Sequence, residues 1–180
     1  MYSIQDRTPV SIVIANYNYV HFLKRSIDSA LEQDYADAEV IVVDDASSDA
    51  TANVIASYGS RIRTCLREVN GGHAAAFNTG FASSHGEIVL FLDADDYLYP
   101  NAVSEVVEAW EEKTAQVQFR LHIVDEEMHV KDIFPPMELP FDSGDVIPEL
   151  LRKGRYQTTV TSGLAFKRSV LDRVMPVPEP

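Results

Sequence analysis

The sequence predicts an α/β domain built on a mainly parallel sheet, and three observations carry that prediction. Short, nearly continuous apolar runs rich in β-branched residues recur along the first hundred residues, as strands buried on both faces require. Stretches of helical period separate them, which argues for strand–helix–strand crossovers. Three of the runs end abruptly in polar clusters: Asn16-Tyr17-Asn18, Asp44-Asp45 and Asp93 to Asp96. Ligands of such sheets bind beyond the carboxyl ends of the strands, so these clusters mark the expected site.

Val10 to Ala15 reads as the first buried strand, and Val20, Leu23, Ile27, Ala30 and Leu31 follow at helical spacing. Val40 to Val43 is a second strand. Ser47 or Ser48 is expected to cap a helix carrying Val54, Ile55 and Tyr58, which Gly59 ends. Ile62 to Leu66 is a weaker strand, Gly71-Gly72 a loop, and an Ala-rich helix runs on to about Ala82. Ile88 to Leu92 is the next buried strand, and Pro100 suits the first turn of a helix reaching about Lys113. The pattern changes after Trp110. One longer strand is expected over Gln116 to Val124, with a turn at Asp125 to His129 leading into Val130 to Phe134. Pro135, Pro136 and Pro140 mark an irregular connection. A short helix over Val146 to Leu151, with Pro148 in its first turn, a strand over Gly163 to Phe166 and a helix over Ser169 to Val174 complete the reading. The division expected is 1–112 for one α/β part and 113–180 for the incomplete start of a second.

The 180 residues carry 28 Asp and Glu against 15 Lys and Arg, a net charge of -13. Such a chain repels nucleic-acid phosphates and anionic lipid, which disfavours both as partners. To bind a phosphorylated ligand it needs a local remedy, and a divalent cation is the obvious one. The single cysteine, Cys65, permits no internal disulfide and fits a reducing compartment. Met1 to Pro9 has no signal-peptide pattern, and no apolar run approaches the roughly 18 residues of a membrane span. The expected location is cytoplasmic.

Three carboxylates within four residues, Asp93, Asp95 and Asp96, repel one another unless a cation or hydrogen-bond donors compensate. Mg²⁺ or Mn²⁺ takes such hard oxygen ligands together with substrate phosphates. A helix-capping acidic turn is the alternative for an isolated Asp-x-Asp. A carboxylate at Asp44-Asp45 can accept a hydrogen bond from a base imide N–H, which uracil offers and cytosine lacks; capping of the following helix is the second use, expected of one of the pair. Tyr17 either stacks on a base or packs. Asn70-Gly71-Gly72-His73 opens the Ala-rich helix, whose N-terminus favours phosphate; His73 there either assists a diphosphate or is a surface residue. His21, His85, His122 and His129 share no metal-ligand spacing.

Together these segments resemble the family 2 glycosyltransferases. The matching stretches are Val10 to Asn18, Val42-Val43-Asp44-Asp45-Ala46-Ser47-Ser48-Asp49-Ala50-Thr51, Asn70-Gly71-Gly72 through Asn78-Thr79-Gly80, and Phe91-Leu92-Asp93-Ala94-Asp95-Asp96. Ordered agreement across about residues 8–112 is far more specific than any one motif, and Ser162 to Arg168 is similar to the family's acceptor-side strand. The resemblance implies a GT-A fold with a mainly parallel central sheet and helices on both faces. It also implies inverting, metal-dependent transfer of a sugar from a nucleoside diphosphate, UDP above all, to an unassigned acceptor. Carried over, Ala15 and Tyr17 flank the base, Asp45 accepts its N–H, Asn78 and Asp95 belong to the nucleotide site and His73 to the phosphate side. Asp93, Asp95 and Asp96 hold Mn²⁺ or Mg²⁺. The chain departs from many relatives at Phe77 and His73, where they carry basic residues. The catalytic base is expected beyond Pro180.

Rival readings are a non-catalytic nucleotide-sugar-binding module and a phosphohydrolase using Asp93-Ala94-Asp95. The latter normally carries its motif on the opening strand. A Rossmann dehydrogenase is disfavoured because no Gly-x-Gly-x-x-Gly follows the first strand.

Overall fold

The computed structural model describes residues 8–179. They form two compact units, one comprising the chain up to Val117 and again from Ala165, the other Gln118–Leu164.

In the first unit, β1 (Val10–Asn16), β2 (Ala38–Asp44), β3 (Arg63–Leu66) and β4 (Ile88–Asp93) are mutually parallel. They are joined by α1 (Val20–Leu31), α2 (Thr51–Tyr58) and α3 (Gly72–Ser83). With β5 (Gln116–Gln118) and β8 (Leu164–Lys167) the sheet has the order β3-β2-β1-β4-β8-β5, and β8 runs antiparallel to β4. Every residue of β1 is buried, which is why apolar residues run unbroken from Ile12 to Ala15 rather than alternating with polar ones. Val13, Ala15, Ile41, Val43, Val89 and Phe91 form one side of the core with Ala76 of α3 and Leu171 of α6 (Arg168–Leu171). By strand alternation Ile12, Ile14, Val42, Leu90 and Leu92 occupy the opposite face. Leu23 and Ile27 of α1, one turn apart, are fully buried, each contributing about 1.5–3 kcal/mol. Helices therefore cover both faces, as the sequence predicts.

α3 lies unusually close to the sheet. A Cβ at Gly80 would stand 2.2 Å from Val13 Cγ1 and 3.1 Å from Val43 Cγ2, so only glycine allows the approach.

Several elements differ from expectation. Neither Ser47 nor Ser48 caps α2; Asp49 Oδ1 accepts from the Thr51 N–H at 3.0 Å instead. α4 spans only Ala102–Glu108, because its buried stripe ends at Val107 and the Trp110 N–H turns back to the Val107 carbonyl. Gly72 belongs to α3 rather than to the loop before it.

In the second unit, the strand expected over Gln116 to Val124 is interrupted, and β6 begins at Leu121. At the break Phe119 N–H donates to the Gly163 carbonyl, and the Arg120 guanidinium bonds the carbonyls of Pro135, Pro136 and Leu139. β6 (Leu121–Val124) and β7 (Val130–Phe134) make an antiparallel hairpin. α5 (Ile147–Lys153) has Pro148 in its first turn and ends at Gly154, φ 70°, the left-handed conformation glycine tolerates.

Candidate functional site

β1 lies beside β4, and the chain leaves the carboxyl end of β1 toward β2 but leaves that of β4 toward the opposite edge at β5, so a crevice opens between the two strand ends. A cavity of about 410 Å³ occupies it, lined chiefly by Ala15, Tyr17, Asp45, His73, Asp93 and Asp95. Asn16, Tyr19, Asn70, Gly72, Ala76 and Ala94 complete the lining. Six of the residues the sequence singles out thus meet in one place, from segments up to 80 positions apart.

The adjacent carboxylates at and just past the end of β2 have separate tasks because an extended chain sends successive side chains to opposite faces. Asp44, buried, accepts from Asn16 Nδ2 at 3.0 Å and from the Ser47 N–H at 3.3 Å. Asn16 Nδ2 also reaches Ser47 Oγ and Thr51 Oγ1, tying β1 to α2. Asp44 is therefore the structural member of the pair. Asp45 points the other way, 2% exposed, and accepts from the Gly72 N–H at 2.7 Å, the Gly71 N–H at 3.1 Å and Arg67 Nε at 2.7 Å. Between the turn residues Ser47 and Asp45, Ala46 sits at φ 63°, a costly conformation for a residue with a Cβ and one that tends to mark functional turns.

Tyr17 and Tyr19 present rings 46% exposed at the rim. Opposite them, His73 Nε2 lies 2.6 Å from Asp93 Oδ1. The hydrogen bond to Asp93 raises the imidazole pKa above its ordinary value, against burial, and the charges of Asp93 and Asp95 add to the rise. This edge of the cavity favours positive charge. The His73 ring stands 4.2 Å from that of Phe77, which stands 4.6 Å from Phe91, so the imidazole is braced by the core.

Two expected site residues are not among those that line the cavity. Asn78 does not line the cavity; its Nδ2 donates to the Val177 carbonyl and Glu179 Oε1, and its Oδ1 accepts from the Val177 N–H, each at 2.9 Å. Five residues on from His73, it sits about 140° around the helix. Asp96 is also absent from the lining; its N–H closes a turn onto the Asp93 carbonyl at 3.0 Å. Asp93 and Asp95 remain as two hard oxygen donors on one rim, the donor type and number that Mg²⁺ or Mn²⁺ takes beside substrate phosphates. Among the described residues, three ligand groups converge only at Asp125, Glu127 and His129 in the β6–β7 turn. There Lys131 Nζ, 2.7 Å from Asp125 Oδ2, already supplies a positive charge. Arg67 is the site residue that sequence reasoning missed; an acidic chain with a carboxylate at a buried strand end needs a cation, and Arg67 directly follows the neighbouring strand.

A mainly parallel sheet with a crevice at its central strand ends, a carboxylate floor and an aromatic rim defines an α/β domain of the GT-A type. The chain belongs to glycosyl transferase family 2, whose profile matches residues 11–174. It is 35% identical over 173 residues to an uncharacterized glycosyltransferase of Nostoc sp. (strain PCC 7120), covering 93% of this chain and 53% of that one. It is 42% identical over 101 residues to the hyaluronan synthase of Pasteurella multocida, covering 54% of this chain and 10% of that one. The chain spans about half the length, or less, of the curated relatives it matches. Among solved structures it resembles S. aureus TarS 1-349 in complex with UDP-GlcNAc, with TM-score 0.69, 22% identity and coverage of 95% of this chain and 49% of that one. It also resembles the mannosyltransferase PcManGT of Pyrobaculum calidifontis in complex with GDP-Man and Mn²⁺, with TM-score 0.63, 23% identity and coverage of 94% and 47%. At these identities the likeness is one of fold. Among the described residues no helix is long and apolar enough to cross a membrane.

Proposed function

We propose that this chain binds the nucleoside diphosphate of a sugar donor, a UDP-sugar, and that the protein transfers the sugar with inversion to an acceptor hydroxyl. The observation that carries the reading is the convergence on one cavity of an exposed ring, a buried acceptor carboxylate and an acidic rim next to a helix start. Tyr17, flanked by Ala15, offers a face on which a base can stack. Asp45 has lone-pair capacity beyond its three donors and can accept the uracil N3–H. Asp93 and Asp95 would hold a divalent cation, which supplies charge neutralisation for the departing diphosphate. His73 stands on the same side at the start of α3, where the helix end favours anions. In the transfer, the acceptor oxygen forms a bond to the anomeric carbon as the carbon–phosphate oxygen bond breaks. The electron pair leaves with the nucleoside diphosphate, and the acceptor proton passes to a base. A lone free thiol, Cys65, suits a cytoplasmic setting.

Calorimetric titration with UDP and CDP, each with Mn²⁺ and then with EDTA, tests the reading. UDP is expected to bind more tightly than CDP, and only weakly once the metal is removed. Equal affinity under all four conditions refutes it.

A further inference from the structure

We propose that Arg67 determines base selectivity: it fixes the Asp45 carboxylate against α3 so that one acceptor direction is left for the base N–H. This rests on the donor reading above and adds to it a residue that does not line the cavity.

The geometry is specific. Arg67 follows β3 and its Nε donates to Asp45 Oδ1 at 2.7 Å. Its Nη1 donates to Thr79 Oγ1 at 2.7 Å and approaches the Ala75 carbonyl at 3.4 Å, both on α3. Thr79 Oγ1 in turn donates to the Ala75 carbonyl at 2.8 Å. One guanidinium thus bridges the end of β2 to the second turn of α3. The same group presses on the loop that opens the helix: a Cβ at Gly71 would meet Arg67 Nη2 at 2.6 Å and Ala75 Cβ at 2.6 Å. Gly71 and Gly72 N–H groups complete the set of donors on Asp45.

Two consequences follow. The Asp45 side chain is 3% exposed and that of Arg67 24%, so removing the cation leaves a buried carboxylate uncompensated. A carboxylate has roughly four lone-pair directions; Arg67 and Gly72 each take one, the Gly71 N–H is shared between the two oxygens at 3.1 Å, and the capacity for one further donor remains on a residue that lines the cavity. A pyrimidine with an N3–H fills it; cytosine, which presents an acceptor there, meets a second acceptor. Without Arg67 the carboxylate is free to turn and to draw in water, and the distinction between the two bases fades. Lysine restores charge but not the planar fork that spans Asp45 and Thr79.

The experiment is calorimetric titration of UDP and CDP, with Mn²⁺, into wild type, Arg67→Ala, Arg67→Lys and Thr79→Val, with circular dichroism to confirm folding. Wild type is expected to prefer UDP about tenfold or more, the worth of one charge-assisted bond. Arg67→Ala should bring that ratio to roughly unity, chiefly by weakening UDP. Arg67→Lys and Thr79→Val should give intermediate ratios, and they keep the test available if Arg67→Ala does not fold. Variants that lose UDP and CDP affinity in equal measure, or that keep the wild-type ratio, overturn the proposal while leaving the donor reading intact. A wild type with no preference for UDP overturns both.

Discussion

Replacing Gly80 by alanine sets two well-characterised effects against each other. In an open helix interior the change stabilises by about 1 kcal/mol, because glycine loses more backbone entropy. Here the added methyl would lie 2.2 Å from Val13 Cγ1, and Val13 is fully buried. A valine has one strongly preferred rotamer, so the side chain cannot swing aside cheaply, and α3 must retreat from the sheet by more than about an ångström to restore contact near 3.5 Å. Overpacking of this kind costs typically 1–3 kcal/mol and occasionally more, and the steepness of the clash places Gly80→Ala at the upper end. The net expectation is a loss of about 1–2 kcal/mol, or a fall in Tm of roughly 2–8 °C for a chain of this size. Because α3 also carries Gly72, His73 and Ala76 into the cavity, UDP affinity should fall with it. Urea unfolding and UDP titration measure the two effects, and Val13→Ala in the same background should relieve part of the loss as a favourable coupling. A Gly80→Ala protein more stable than wild type would show that the helix does not press on the sheet, and the argument would fail. So would strict additivity with Val13→Ala.

Two further expectations are accessible to simple measurements. Tyr17→Ala should weaken UDP binding by about 1–3 kcal/mol, the range for one stacked base, with little change in stability because the ring is 46% exposed; unchanged affinity would remove Tyr17 from the base site. Burial opposes the charge on Glu39, but hydrogen bonds from Ser11 Oγ and the His85 N–H outweigh it and hold the pKa below the ordinary glutamate value. A depressed carboxylate contributes stability above its unfolded value that is lost as pH falls through the folded one. The stability gap between wild type and Glu39→Gln should therefore be full near neutrality and shrink below about pH 4.5; a gap that stays constant or widens on acidification contradicts this.

The strands were legible because burial on both faces favours apolar side chains, so β1, β2 and β4 carry the runs Ile12–Ala15, Val40–Val43 and Ile88–Leu92. The candidate site was legible where the strand ends dictate position: the carboxyl ends of β1 and β2, and the residues just past them, bring Ala15, Tyr17 and Asp45 to the same crevice. It was less legible on α3, where motif spacing conceals helical phase and Asn78 turns away from His73. Arg67 could not be read from its own neighbourhood, since its partners Asp45 and Thr79 are 22 and 12 residues distant and meet it only when β2, β3 and α3 pack. The break at Phe119-Arg120 likewise depends on carbonyls 15 to 19 residues further on for Arg120.

The bonds between Asn78 and Val177 make the side-chain amide behave as a stretch of main chain. It offers one N–H and one C=O to a single residue's C=O and N–H, completing one rung of a ladder that has no second strand. Few side chains can imitate a peptide in this way. Aspartate keeps the acceptor, gives up both donors and faces the Glu179 carboxylate; glutamine adds a methylene to a reach already set at 2.9 Å. Position 78 is consequently specified by the path of the polypeptide at 177.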